Sequence, residues 1–229
     1  MPKKDFWNKQ YKKPTHLELS IDPSEDLKKF TRYLLREHGK AFLNVTTKAV
    51  DLGCGNGRNL ICLSREFGVH GVGYDTSDVA IRDAKTAAHG LPLQFEVRSI
   101  ADPIPLPDAS VALALDMMSS HVLTKVEREA LRGEVLRTLR PNGWLFFKSF
   151  LLEDDLHAKR LLKESPAAEE GMYIHPEIGV PEYVWTEYAL REFFEPYFTI
   201  HKIEKSHKHR HADGSAWKRR TVSAYLQKG

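Results

Sequence analysis

Three glycines at alternate positions, Gly53, Gly55 and Gly57, follow directly on the apolar run Lys48–Leu52 and precede residues suited to starting a helix. The apolar run reads as a buried strand of a parallel sheet. Glycine at every second position then lets the backbone turn sharply with no side chain in the way. A flat ligand can therefore lie on the chain itself, close to the amino end of the next helix. About 20 residues further on, Val72–Asp75 reads as a second strand ending in an acid. That spacing is the one expected for a carboxylate that holds a ribose.

A dinucleotide fingerprint needs glycines in the pattern G-x-G-x-x-G. Counted from Gly53 the sixth position is Arg58, and from Gly55 it is Leu60, so both registers fail. What remains is D-x-G-x-G-x-G, beginning at Asp51.

The rest of the chain reads as strands alternating with helices, the pattern of a doubly wound sheet. A helix is predicted after Asp22, with Asp22 as its cap, Pro23 in the first turn and Glu25 reaching back. Its apolar face is Leu27, Phe30, Leu34 and Leu35, and Gly39 closes it. Further helices are predicted from about Asn59 to Phe67, from Ser77 to Ala88 and from Lys125 to Leu139. Strands are predicted at Leu93–Val97, Val111–Met117 and Trp144–Phe150, the last after the Pro141-Asn142-Gly143 turn. From Leu151 to Tyr183 the rhythm breaks into a short helix and a mixed stretch, the kind of long connection that serves as a lid or binding element. Thr186 caps a helix through Phe194. Phe198–Ser206 and Arg220–Gln227 read as two strands joined around Asp213-Gly214.

The D-x-G-x-G-x-G string resembles motif I of the class I methyltransferases that use S-adenosylmethionine, and the resemblance continues downstream. Pro103–Ser110 followed by Val111–Asp116 is similar to that family's loop into its fourth strand, and Leu139–Phe147 to its turn before the fifth. The match runs from about Lys48 to Phe150 and, more weakly, through the last 45 or so residues. It implies an α/β fold: a doubly wound, mostly parallel seven-stranded sheet with helices on both faces and a C-terminal antiparallel hairpin strand. One domain covers 1–229, divided into an N-terminal cap segment (1–45), a cofactor-binding core (46–150), a lid or substrate insert (151–185) and a C-terminal helix and hairpin (186–229). The cofactor would be S-adenosyl-L-methionine, with S-adenosyl-L-homocysteine as product. Its contacts would come from Asp51, Gly53, Cys54, Gly55, Asn56 and Gly57 of the glycine string. Asp75 and Thr76 follow at the ribose, and Ile100, Ala101 and Asp116 complete the set. Many relatives carry an acid at the position of Ile100 to bond the adenine amino group. Here either backbone and packing hold the adenine, or Asp102 substitutes from two residues away.

Methyl transfer from a sulfonium is an in-line displacement with a good leaving group, so proximity and alignment are the main requirements. A base is needed only when the acceptor must lose a proton. His121, just after the fourth strand, is a base or substrate contact on one reading and a helix-capping polar residue on the other. Tyr173, His175, Glu177, Tyr183 and Trp185 in the insert, and Phe6, Trp7 and Tyr11 near the start, either wall an acceptor pocket or anchor their segments. Neither an N-P-P-Y string nor a Pro-Cys nucleophile is present, which argues against two classes of nucleic-acid methyltransferase.

His207, His209 and His211 alternate near the hairpin tip, but nothing else completes a metal ligand set, and no metal site is expected. With Lys205, Lys208, Arg210, Lys218, Arg219 and Arg220 they form a basic tip suited to an anionic acceptor, whether phosphate, carboxylate or nucleic acid, or simply a solvated hairpin. Net charge is only +3, too little for a general nucleic-acid polycation. The longest apolar run is far short of a membrane span, and a secretory signal is not evident at Met1–Asp5, so a cytoplasmic protein is expected. Cys54 and Cys62 suit packing rather than a disulfide. The leading expectation is methylation of a small molecule. RNA or protein methylation and a non-catalytic partner subunit remain as alternatives, and the oligomeric state is open.

Overall fold

The computed structural model describes residues 4–15, 19–206 and 219–229. Strand β1 (Lys48–Leu52) pairs in parallel with β2 (His70–Asp75) on one side and β4 (Val111–Met117) on the other. β3 (Leu93–Val97) adds beyond β2, and β5 (Leu139–Phe150) beyond β4, also in parallel. The sheet order reverses between β1 and β4, where an open α/β sheet forms its ligand crevice.

The C-terminal hairpin closes the sheet as the sequence predicts. β9 (Thr221–Lys228) runs antiparallel between β5 and the edge strand β8 (Phe198–Lys205), completing seven strands. β5 starts earlier than predicted. Leu139 already pairs with Val111, and the Pro141–Gly143 turn is an excursion within the strand before pairing resumes at Leu113 and Trp144. Asn142 takes the left-handed conformation (φ 60°) that lets this excursion turn back.

Helices α2 (Glu25–His38), α3 (Arg58–Phe67) and α4 (Asp78–Ala87) cover one face; α5 (Lys125–Thr138) and α7 (Glu187–Phe194) cover the other. Their ends carry the expected signals. Ser77 accepts from the Ala80 N–H and Thr186 from the Ala189 N–H, Gly68 terminates α3 at φ 73°, and Thr124 with Glu127 forms a full capping box on α5. The start of α2 differs from expectation. Ser24, not Asp22, is the boundary residue, and its N–H donates to Asn59 Oδ1 at 3.0 Å. The tie to α3 fixes where this helix starts.

Phe30 on α2 is fully buried. It stacks on Phe146 at 4.7 Å and meets Tyr225 edge-on at 4.9 Å. Phe30→Ala is expected to lower unfolding stability by about 3–5 kcal/mol, read as a shifted denaturant midpoint at unchanged slope.

Residues 151–185 are ordered more tightly than a loose lid. Asp155 caps α6 (Leu156–Glu164), and β6 (Met172–Ile174) pairs antiparallel with β7 (Pro181–Tyr183) in a two-stranded ribbon. At the other end of the chain, α1 (Lys4–Lys12) lies across the start of α4. Ser77 Oγ donates to Asn8 Oδ1 at 2.8 Å, and Lys4 pairs with Asp78 at 2.8 Å.

Candidate cofactor and acceptor site

A cavity of about 440 Å³ opens at the carboxyl ends of the parallel strands, within the usual size of a small-molecule site. Each strand end contributes: Gly53 after β1, Asp75 and Thr76 at β2, Arg98 to Ile100 after β3, Met118, Ser119 and His121 to Leu123 after β4, and Phe150 at the end of β5. Phe6, Trp7, Gln10 and Tyr11 of α1 close one side, and Ile178 and Glu182 of the ribbon another.

The glycine turn is a cradle that side chains would fill. Gly53, Gly55 and Gly57 have φ of 74°, 56° and 75°, a region that favours glycine. A Cβ at Gly53 would sit 2.3 Å from the Ser119 Cβ, and one at Gly55 would sit 2.4 Å from the Tyr11 hydroxyl oxygen. Asp75 organises the same turn: Oδ2 accepts from the Gly55 N–H at 3.0 Å and Oδ1 from the Ser77 N–H at 2.8 Å. Ser119 Oγ lies 2.6 Å from both the Leu52 carbonyl oxygen and Asp116 Oδ1, locking the end of β4 to the end of β1.

Three carboxyls gather at this cradle, Asp51 and Asp116 buried and Asp75 partly exposed to the cavity. Burial pushes Asp51 up to about 7, with the Asp75 and Asp116 carboxylates adding to the effect, and Asp51 Oδ2 has no hydrogen-bond partner. Burial also raises Asp75 and Asp116, against the N–H and O–H donors that each accepts. An unpartnered acid in a field of acids suits a cationic ligand.

The second half of the cavity has different chemistry. His121 is 6% exposed and meets Phe150 edge-on at 5.0 Å. Burial drives its imidazole down to about 4, the Arg219 guanidinium works the same way against Glu182, and Nδ1 has no partner. Beside it Glu182 accepts from the Tyr173 hydroxyl and lies 3.5 Å from Arg219 Nη1. Arg219 donates to Asp155 Oδ2 at 2.9 Å and to the Tyr173 oxygen at 2.6 Å, with its guanidinium 4.2 Å from the Phe150 ring centre.

The structure sorts the residues expected from sequence. Trp7, Tyr11, Gly53, Asp75, Thr76, Ile100 and His121 line the cavity. Asp51, Cys54, Gly55 and Gly57 build the turn behind it. Asn56 is drawn away, its side chain donating to the Ser20 carbonyl at 2.9 Å, and Asp116 is occupied by the Ser119–Ser120 turn. Ala101 is half-buried, outside the lining, and Asp102 is exposed. Ser99 and Ile100 therefore form the lining there, with no acid among them. Trp185 is 2% exposed and sits in the core among Phe147, Phe193 and Phe194, away from the cavity. Tyr173 is fully buried and reaches the cavity only through Glu182, while His175 packs 6.5 Å from His157 on the outer side of the ribbon. Both cysteines are free thiols, Cys54 in the core and Cys62 beside Glu66.

His207, His209 and Arg210, with the rest of 207–218, lie outside the described residues. Arg219, expected in the basic tip, instead points inward to Asp155 and Tyr173, and Lys205 pairs with Glu187 at 2.8 Å. Among the described residues there is no group of three or more His, Cys, Asp or Glu placed to hold a metal ion, and no helix long and apolar enough to cross a membrane.

Residues 49–143 match the family model described as a methyltransferase domain. The fold is similar to that of a crystal structure of an S-adenosylmethionine-dependent methyltransferase from Methanosarcina mazei, at 26% identity and TM-score 0.67, over 82% of this chain and 94% of that one. Residues 49–143 are thus a methyltransferase domain, and the chain has the fold of the S-adenosylmethionine-dependent methyltransferases. A protein from Pyrococcus horikoshii shares the methyltransferase fold over 96% of this chain and 99% of its own, at 21% identity and TM-score 0.68. An uncharacterised Haemophilus influenzae protein is 28% identical over 133 residues, and the match spans about half (52%) of that relative's length. S-adenosylmethionine is the cofactor that this domain and fold imply, and the residues present fit it. The glycine cradle leaves backbone open to the ligand, Asp75 faces the cavity, and the unpartnered Asp51 lies in an acidic field suited to a cation.

Glu182 and Ser119 are among the contributors that escaped the sequence reading. Glu182 sits on a three-residue strand in an irregular insert, and Ser119 is one serine of an unremarked pair. Neither is marked by a pattern along the chain.

Proposed function

We propose that this protein transfers a methyl group from S-adenosylmethionine to a small-molecule acceptor held between α1 and the β6–β7 ribbon. The observation that carries this reading is the division of one cavity into an acidic, glycine-floored half and a second half walled by Val122, Leu123, Phe150 and Ile178. The cofactor supplies an electrophilic methyl group whose bonding electrons stay on sulfur as the acceptor's lone pair forms the new bond. The chain's own part is placement. Gly53 to Gly57 and Asp75 hold the nucleoside end, Asp51 and its neighbours favour the positive charge, and the rings of Phe6 and Trp7 close the site from water. Trp7 and Tyr11 present aromatic surface to a cation.

With an imidazole near 4, His121 is neutral throughout the physiological range. A base that weak is poorly matched to proton abstraction at neutral pH, and its orphaned Nδ1 is better suited to orienting the acceptor. The clamp reading, with RNA or protein gripped by basic ends, draws no support from Lys205 and Arg219, both engaged by acids of the chain. The partner-subunit reading predicts an acceptor site filled with side chains, and this one is open.

The test is to incubate the full chain with methyl-labelled S-adenosylmethionine and a cell extract split into small-molecule, nucleic-acid and protein pools. Label is expected in the small-molecule pool. Label in a nuclease- or protease-sensitive pool contradicts the acceptor class, and no transfer anywhere, with cofactor bound, favours a partner subunit.

A further inference from the structure

The acceptor half of the cavity carries charge of one sign where it meets the ligand. Glu182 is 8% exposed and lines the chamber. Oε2 is used by Tyr173 and Arg219. Its other oxygen, Oε1, accepts no hydrogen bond from any described residue. Arg219 is the cation that acts on His121 and Tyr173, but it is shared between two carboxylates, Asp155 and Glu182, and shielded by the Phe150 ring. It is not part of the lining. Arg220 joins through its main-chain N–H, on Asp155 Oδ2 at 3.1 Å. The cation that does line the cavity, Arg98, follows β3 at the cofactor end.

Resting on the small-molecule reading above, we propose that Glu182 and His121 select an acceptor that presents a hydrogen-bond donor, an amine or a hydroxyl, and reject an anionic one. This departs from the expectation of an anionic acceptor drawn from the basic hairpin. A carboxylate or phosphate entering the chamber would meet the buried Glu182 carboxylate, and like charges in a desolvated site repel strongly. Arg219 Nη2 and Arg220 Nε and Nη1 are buried without a hydrogen-bond partner, but neither arginine is part of the lining. An ammonium or hydroxyl finds one acceptor at Glu182 Oε1 and, in the tautomer protonated at Nε2, another at His121 Nδ1. His121 Nδ1 is buried and otherwise without a partner, so a donor there satisfies both sides at once. Tyr173 and Arg219 act at one remove as positioning residues, fixing the Glu182 carboxylate from behind.

The experiment uses three isosteric probes, benzylamine, benzyl alcohol and benzoate, offered to the full chain saturated with S-adenosylhomocysteine, with binding read by ligand-observed NMR. Benzylamine and benzyl alcohol are expected to bind at least tenfold more tightly than benzoate. Glu182→Gln is expected to weaken benzylamine at least tenfold while leaving S-adenosylhomocysteine affinity within twofold. Benzoate binding as tightly as benzylamine, or none of the three binding, overturns the proposal. The wild-type order of the probes decides it even if the variant does not fold. Failure of S-adenosylhomocysteine itself to bind is a separate result, and it would overturn the cofactor site and this inference together.

Discussion

Asp75→Ala is expected to weaken S-adenosylhomocysteine binding about 100-fold, close to 2.7 kcal/mol, in a calorimetric titration. Two losses add. The ribose hydroxyls lose an ionised acceptor, and hydrogen bonds to charged groups contribute about 1.5–3 kcal/mol. The glycine turn also loses its brace, since Asp75 receives the main-chain N–H groups of Gly55 and Ser77. Burial of the Asp75 carboxyl offsets part of what its two main-chain hydrogen bonds contribute to the fold, and the melting temperature is expected to move by only a few degrees. Unchanged affinity would remove Asp75 from the ribose.

Asp51→Asn should separate stability from binding. In the folded chain the Asp51 carboxyl is pushed up to about 7 from an ordinary value of 3.8. The folded state thus keeps a proton between about pH 4 and pH 7 that the unfolded chain releases. The sign follows: this residue favours the fold least above pH 7 and most below pH 4, and stability declines across that window. The asparagine variant lacks the decline, so without cofactor it should be on the order of 2 kcal/mol more stable than wild type at pH 8 and closer to it at pH 5. With S-adenosylmethionine the order narrows or reverses, because the acid attracts the positive ligand and the amide does not. Thermal unfolding at both pH values, with and without cofactor, reads both effects. A variant stabilised by cofactor as strongly as wild type would show that Asp51 does not attract the ligand.

Where local chemistry decides the outcome, the sequence was readable. Gly53, Gly55 and Gly57 impose the turn after β1 whatever surrounds them, Thr186 and Ser77 cap their helices within three residues, and two strand-like runs around the turn dipeptide Asp213-Gly214 mark a hairpin. Tertiary pairing hid the rest. Asp116 sits at a strand end where a cofactor contact is expected, yet Ser119 and Ser120 take its carboxylate for a turn. Trp185 reads as a pocket wall and lies instead in a cluster of phenylalanines contributed by β5 and α7. Arg219 looks like one more basic residue of a surface run. Only the fold brings Asp155, 64 positions away, within 2.9 Å of it. Glu182 gains its meaning from Tyr173 across a three-residue ribbon and from the cavity on its other side.

The central claim is that the acidic, glycine-floored cavity beneath α1 binds S-adenosylmethionine. Its most direct test is calorimetric titration of S-adenosylmethionine into the full chain at pH 6, in two buffers of different ionisation enthalpy. The account predicts one site per chain and a buffer-dependent heat, because a cation bound near Asp51 displaces the proton that carboxyl retains at pH 6. Absence of binding would contradict the account, and binding with no proton released would place the ligand away from the acidic cluster.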